Sequence, residues 1–419
     1  MKHWTYASAM AACLSAVMAL PQAASAQDLA ITGARVIAAP DAAPIENGTV
    51  LVRDGRIAAV GTRAEVRVPE GVPVIDGSGG TLVAGFWNSH VHFLTPETRT
   101  PATTPADVLE DALQQMLTRW GFTTVFDIGS FDGVAAGLRT RIAAGEVRGP
   151  DILSVGLPYF PENGTPYYVA ELFESLGVRS AEVADVPAAK ARAARELADG
   201  ADGVKLFAGA IVGGPVDVLP MRVDIATALV EQAHAVGKPA FAHPTNREGL
   251  EVSLASGVDV LAHSAPQAGA WDAALVQRLR AADMALIPTL ALFDVEMRRE
   301  GAPETAIDRV VGQAVQQVQA LHAAGGEILF GTDIGYMHEA DTTREIALLA
   351  QAGLDWRAIL TSLTTAPATR FGQADRKGRI APGLQADLVL LDGDPTTDVV
   401  AYSNVRQTFR AGVAVYRKP

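Results

Sequence analysis

From residue 85 to residue 372 the sequence alternates short apolar runs with longer amphipathic stretches, and this alternation restricts the fold more than any other feature. The candidate strands are 82–92, 123–128, 152–156, 203–207, 240–244, 258–263, 285–290 and 328–333. Helical segments lie between them, such as 105–120, 188–198, 225–236 and 271–281. A strand followed by a helix cannot close a hairpin. The helix carries the chain back, so the next strand runs parallel to the last. Eight such units predict a (β/α)8 TIM barrel, an α/β fold. An open doubly wound sheet has the same alternation. No Gly-x-Gly-x-x-Gly turn follows any of the strands, however, so a dinucleotide site is not indicated.

Both ends of the chain read differently. Residues 28–80 hold short strands at 30–37, 48–52, 57–61 and 72–76, and the turn Arg53-Asp54-Gly55-Arg56 closes a hairpin. Strands return at 386–391, 405–410 and 413–416. Together these predict a small β-sandwich domain formed by both chain ends. The predicted division is a β-domain over 27–84 and 373–419 around a catalytic barrel at 85–372. Residues 1–26 read as a signal peptide. Lys2 and His3 precede an apolar run at 7–20, and Ala24-Ser25-Ala26 supplies the cleavage site before Gln27. That run is short for a membrane span. A periplasmic or secreted enzyme is expected, with no membrane attachment after cleavage. Cys13 is the only cysteine and leaves with the signal, so any metal site must use nitrogen and oxygen ligands. A net charge of −13 argues against sequence-independent binding to nucleic acid or anionic lipid.

In a barrel of this kind the C-terminal strand ends meet at one mouth. His90 and His92 end the first strand, and alternate residues of a strand share a face. Lys205 lies on the fourth strand, His243 on the fifth, His263 on the sixth and Asp333 at the end of the eighth. Histidine pairs at this spacing also occur as hydrogen-bonded core residues. Here four of the chain's eight histidines fall at strand ends, which favours metal ligation. His3, His234 and His322 carry no such signal. His338 follows the eighth strand and is a candidate substrate contact. The Pro- and Gly-rich stretch 159–168 is the longest irregular segment, of the kind that covers active sites.

These motifs resemble the amidohydrolase superfamily, in the group related to imidazolonepropionases and to Xaa-Pro and Xaa-Arg dipeptidases. The resemblance covers nearly all of the chain after the signal. Its strand-one motif is Gly85-Phe86-Trp87-Asn88-Ser89-His90-Val91-His92. The exit from the barrel is Ala366-Pro367-Ala368, then Lys377-Gly378-Arg379-Ile380-Ala381-Pro382-Gly383-Leu384-Gln385-Ala386-Asp387-Leu388-Val389. Ala84, Asn88 and Ala366 stand where the family more often has Pro, Asp and Asn, and none of them is a ligand position.

The resemblance implies two divalent metal ions, taken as zinc. His90 and His92 would bind the more buried ion, His243 and His263 the more exposed one. Asp333 would bind the buried ion and act as the catalytic proton acceptor. Lys205 cannot ligate as an ammonium. The resemblance implies that CO2 converts it to a carbamate that bridges both ions, and the alternative is a salt-bridged barrel lysine. Tyr167 and Tyr168 are candidate electrophilic helpers, and Arg222 and Arg247 are candidates for gripping a substrate carboxylate. The expected activity is hydrolysis of an amide in a small molecule, a dipeptide or N-acyl amino acid. A lactonase or other ester hydrolase on the same site is the first alternative. A non-catalytic metal-containing binding protein is the second. The sequence leaves oligomeric state and native metal open.

Overall fold

A computed structural model of the chain describes residues 28–178 and 181–419. The expected signal peptide, residues 1–26, lies outside them.

Two parallel sheets occupy the centre of the mixed α/β molecule. In the first, strand Phe86–Val91 pairs with Phe122–Asp127, which pairs with Asp151–Ser154. In the second, the order is Val204–Phe207, Ala240–His243, Val260–Ala262, Ala285–Ile287. Strands Phe86–Val91, Phe122–Asp127 and Val204–Phe207 are buried along their whole length. Helices cover such strands on one face and one another's side chains on the other, so they read as continuous apolar runs.

Regular pairing does not close these sheets into one barrel among the described residues. Isolated hydrogen bonds link them instead. On one side Tyr159 N–H donates to Lys205 O at 2.8 Å, and Phe207 N–H donates to Tyr159 O at 2.9 Å. On the other side runs the eighth apolar segment, 328–333. Leu329 N–H donates to Leu286 O at 2.9 Å, and Ser89 N–H donates to Phe330 O at 2.8 Å. Asp333 N–H donates to His90 O at 2.9 Å. The expected eighth strand is therefore an irregular connector that bonds alternately to each neighbour.

Two other expected strands change shape. The apolar run 82–92 is two strands, Gly80–Ala84 and Phe86–Val91, which belong to different sheets. They divide at Gly85, where a Cβ would sit 2.2 Å from Thr123 Oγ1. The seventh strand stops at Ile287. Pro288 has no N–H to donate, and Thr289 turns at φ 46°, so Leu290 begins a helix. Side-chain caps set several helix starts. Asp185 accepts from Ala188 N at 2.8 Å, Asn246 from Gly249 N at 3.0 Å, and Asp272 from Leu275 N at 2.8 Å.

Strands from both chain ends form one eight-stranded sheet. Its centre is the antiparallel pair Gly80–Ala84 with Leu388–Asp392, with Leu388 opposite Ala84. This is one hydrogen-bonded sheet where two packed sheets were expected. Ile31, Val50, Leu82, Leu388 and Phe409 fill a core on one side of it. Lys377 joins this sheet to the parallel strands. Its buried ammonium forms ion pairs with Asp151 and, at 3.2 Å, with Asp387, and donates to Thr124 Oγ1 at 2.9 Å. Arg410 pairs with Asp151 at 2.8 Å. A buried charge is tolerable only when paired this fully. The Lys377 motif thus holds the side of the parallel strands remote from the histidines.

Candidate metal centre and substrate cavity

His90 and His92 project from the end of strand Phe86–Val91, with their Nε2 atoms 3.2 Å apart. Asp333 Oδ1 lies 3.2 Å from His90 Nε2 and 2.8 Å from His92 Nε2. His263, just past strand Val260–Ala262, brings Nε2 to 3.8 Å from Asp333 Oδ2. The His243 ring stands 4.6 Å from that of His263 and stacks on Phe207. Lys205 is buried beside them, its Nζ 5.5 Å from the Phe207 ring. The structure therefore gathers all six residues expected as ligands. His90, His263 and Asp333 each offer a donor atom within 4.8 Å of the others, a group able to hold a metal ion.

The donor chemistry fits a cation. His92 Nδ1–H donates to Gly129 O at 2.7 Å, which leaves a lone pair on Nε2. That lone pair faces Asp333 Oδ1, and Oδ1 is buried without a hydrogen-bond partner. Two lone pairs in contact repel; a positive ion between them removes the conflict. His263 Nδ1 meets Thr289 Oγ1 at 2.8 Å, which turns its Nε2 inward. Burial pushes His90 down to about 3 and holds His243 and His263 well below the usual imidazole value, so all three present neutral rings. Burial alone would raise Asp333, but His90 and His92 outweigh it and keep the carboxyl well below its ordinary range. Burial lowers Lys205 to about 7, against an opposing pull from Asp333.

The backbone around the site is contorted. Thr245, His263, Thr289 and Asp333 all have positive φ, at 56°, 113°, 46° and 64°. Non-glycine residues in such conformations concentrate at functional sites. Gly335 has φ 99°, and a Cβ there would fall 1.7 Å from His92 O, so only glycine lets the 333–337 loop pack on His92. Asn88 ties strand to loop. Its amide donates to Thr332 Oγ1 at 2.7 Å, and its oxygen accepts from His90 N and Thr332 N, both at 3.2 Å.

Glu345 supports the same wall from behind. Its buried carboxyl accepts from Ala291 N at 2.7 Å, two residues after the Thr289 that orients His263. Burial raises it to about 7 from its ordinary 4.5, although the backbone N–H groups of Ala291 and Leu290 oppose that. The folded protein therefore holds this proton more tightly than the unfolded chain. The resulting stabilisation is full below pH 4.5 and is lost as pH rises to about 7. A gap of that size corresponds to about 3 kcal/mol. Glu345→Gln keeps an acceptor for Ala291 N and cannot ionise. Its melting temperature relative to wild type is expected to climb by several degrees between pH 5 and pH 8. Parallel pH–melting curves for the two proteins would rule this out.

A cavity of about 590 Å³ opens beside the metal centre. Its wall is largely aromatic and aliphatic, with Phe131, Phe160, Phe173, Phe207, Leu292 and Phe293. Tyr167 and Tyr168 both line it, on a helix, Tyr167–Ser175, that begins inside the stretch expected to be irregular. The Tyr168 ring lies 5.5 Å from that of Tyr336, and burial holds its hydroxyl well above the ordinary phenol value. Three expected contacts are not brought here. Arg222 is spent on an exposed pair with Asp224 at 2.5 Å, and Arg247 pairs with Glu251 along its helix at 3.4 Å. His338 lines a separate cleft with Glu97, Asp107 and Asp111.

In their place the cavity has Glu296, Glu300 and Arg309, which the sequence argument missed. Arg309 is exposed and forms no ion pair among the described residues. The available signal was the pair of successive helices after the seventh strand, Leu290–Arg299 and Glu304–Ala323. One crossover helix suffices to return the chain, so a second one marks an added wall.

Comparison with solved structures shows the same fold. A Bifidobacterium longum protein named as a prolidase is 26% identical, with a TM-score of 0.77 over 94% of this chain and 95% of that one. A Xaa-Pro dipeptidase with methionine bound in its active site is 20% identical, with a TM-score of 0.78 over 94% and 100%. The A. niger ochratoxinase is 17% identical, with a TM-score of 0.75 over 94% and 96%. No curated protein matches the sequence. The sequence itself matches the amidohydrolase family over residues 81–415. That match spans most of the chain, including the histidines, Lys205 and Asp333, and so the chain belongs to the amidohydrolase family, whose members are hydrolases acting on carbon–nitrogen bonds.

Proposed function

We propose that this chain is a secreted, binuclear metal-dependent hydrolase that cleaves the amide bond of a dipeptide or an N-acyl amino acid. The observation that carries the proposal is the convergence of Lys205 with four histidines and Asp333 on one point beside an apolar cavity. The two parallel sheets and the 328–333 connector are read as arcs of a (β/α)8 barrel, with the β-domain over 27–84 and 373–419. The relatives named as a prolidase and as a Xaa-Pro dipeptidase support the substrate class.

His90, His92 and Asp333 would hold the buried ion, and His243 and His263 the exposed one. Lys205 would join them as a carbamate. A buried ammonium with no salt bridge is unfavourable among cations, and among the described residues none is formed by Lys205. Divalent ions bound here would make water nucleophilic at neutral pH and polarise the scissile carbonyl. Asp333 accepts the proton of the attacking water and delivers it to the departing nitrogen. The Tyr168 hydroxyl, kept protonated by burial in the cavity lining, would donate a hydrogen bond to the carbonyl oxygen as charge builds on it. The aromatic wall excludes water from the reacting bond. Arg309, which lines the cavity and has no ion pair among the described residues, can take a substrate carboxylate.

The test is metal analysis joined to a substrate panel. Purified protein should carry close to two divalent ions per chain and hydrolyse dipeptides or N-acyl amino acids. Chelation should abolish turnover. Protein recovered from the periplasm should begin near Gln27. Turnover of matched esters but of no amide would move the assignment to an ester hydrolase. Protein that binds no ion, or that stays in the cytoplasm with Met1 intact, would overturn the corresponding part.

A further inference from the structure

Asp127 ends strand Phe122–Asp127, opposite Val91 of the histidine-bearing strand, and is completely buried. It forms no ion pair among the described residues, and a buried carboxylate without a cation is costly. Its partners are neutral donors. Oδ1 accepts from the Ser130 hydroxyl at 2.6 Å and from Gly129 N at 3.3 Å, and Oδ2 accepts from the Ser154 hydroxyl at 2.7 Å. An aspartate that binds the backbone two residues further on fixes a turn, here 127–130. Each serine hydroxyl also accepts in its own right, Ser130 from Phe93 N at 2.8 Å and Ser154 from Gly156 N at 3.1 Å. Asp127 thus joins three neighbouring strand ends, and Phe93 is the residue directly after His92.

The turn delivers one group to the metal centre. Ile128 N–H donates to Val91 O at 3.1 Å and Ser130 N–H donates to Gly156 O at 3.2 Å, so the residue between them is held from both sides. That residue is Gly129, whose carbonyl meets His92 Nδ1 at 2.7 Å. A Cβ on Gly129 would stand 3.0 Å from His92 Cε1 and 3.1 Å from Nδ1, so a bare Cα lets ring and carbonyl meet without either shifting. The contact decides which ring nitrogen keeps its lone pair. With the proton on Nδ1, Nε2 faces Asp333 Oδ1 at 2.8 Å with its lone pair available. The other tautomer has a partner too, because an Nε2–H would donate to Asp333. That arrangement would shut an ion out. The carbonyl of Gly129 tips the balance, and it can do so only from a fixed position.

We infer that Asp127 is a positioning residue of the metal centre: through the 127–130 turn it holds the Gly129 carbonyl against His92 and so keeps the His92 Nε2 lone pair free for an ion. Asp127 itself touches neither ion nor substrate. The inference rests on reading His92 as a metal ligand, as above, and asks nothing of the substrate.

Zinc-loaded protein with nitrogen-15 in its histidines gives two readouts. The first is the His92 Nδ1–H proton in the magnetic resonance spectrum. Its through-space contact with the Gly129 α-hydrogen, which stands where a Cβ would, identifies it. Held against Gly129 O, it should exchange slowly with water in wild type. Asp127→Ala and Ser130→Ala should speed that exchange by about tenfold or more. The second readout is zinc affinity by competition with a chelator, expected to fall about tenfold to a hundredfold in both variants. Asp127→Asn should rescue both, because its amide oxygen still accepts from Gly129 N and Ser130 and only the bond from Ser154 is lost. Ser154→Ala should lower the melting temperature yet leave both readouts close to wild type. If Asp127→Ala does not fold, Ser130→Ala decides. Wild-type exchange and wild-type affinity in that variant would overturn the assignment. So would weaker zinc binding with the His92 proton unchanged, the mark of general destabilisation. Failure of the functional reading looks different. Wild type would then bind no zinc, and the His92 proton of the metal-free protein would still decide whether Asp127 orients the ring. Zinc-loaded protein that hydrolyses no amide would leave both readouts intact.

Discussion

Replacing Asp333 with asparagine is expected to lower kcat by about a thousandfold to ten-thousandfold, the upper range for loss of a positioned proton acceptor. Asp333 meets two imidazoles through Oδ1 and approaches a third through Oδ2. Asparagine keeps one acceptor oxygen and the shape of the side chain. It has no basicity, so it cannot take a proton from water or return one to the leaving nitrogen. The variant should still bind metal, because His90, His92, His243 and His263 are unchanged. It should fold as wild type does, because the contorted backbone at φ 64° suits asparagine as well as aspartate. Metal content and steady-state kinetics on one preparation give the answer. Turnover at the wild-type rate would remove Asp333 from proton transfer.

The second large effect is expected at Lys205. Losing an outer-shell partner of a metal ligand costs about tenfold to a hundredfold in metal affinity, and losing a bridging ligand should cost more. Lys205→Ala is therefore expected to drop at least one ion and nearly all activity. The cavity it leaves is next to the metal site, not sealed from it. Acetate or propionate supplied with metal should enter and partly restore turnover, since a free carboxylate could stand where the proposed carbamate would. A lysine that served only as a structural cation predicts otherwise: lower stability, normal metal content and no rescue. Lys205→Ala protein with two tightly held ions and near-normal rates would leave the carbamate bridge without support.

Much of this site was legible because its expected ligands lie within or just past short apolar runs, and those runs follow from the apolar alternation. His90, His92, Lys205, His243, His263 and Asp333 could all be placed without knowing any tertiary contact. Proximity in sequence alone does not bring a side chain to the cavity. Arg222 and Arg247 follow the fourth and fifth strands, yet each has an acid within reach on its own helix, and those local pairs claim them. Glu296 and Arg309 lie many residues beyond a strand end, and only the packing of two helices brings them to the cavity. The division at Gly85 was invisible for another reason. Gly80–Ala84 and Phe86–Val91 are both buried on every residue, so no change in polarity marks the place where one sheet hands the chain to another.

The sheet built from both chain ends has a consequence for synthesis. Gly80–Ala84 leaves the ribosome early, and its antiparallel partner Leu388–Asp392 leaves near the end. Until then the early strand presents an apolar edge with unpaired backbone groups, the kind of edge that recruits other chains. The intervening segment can collapse in the meantime, but Lys377, Asp387 and Arg410 have yet to arrive to tie it to the sheet. The nascent protein thus spends most of its translation as an open clasp, and losing the chain from Leu388 onward would leave that edge bare for the life of the molecule.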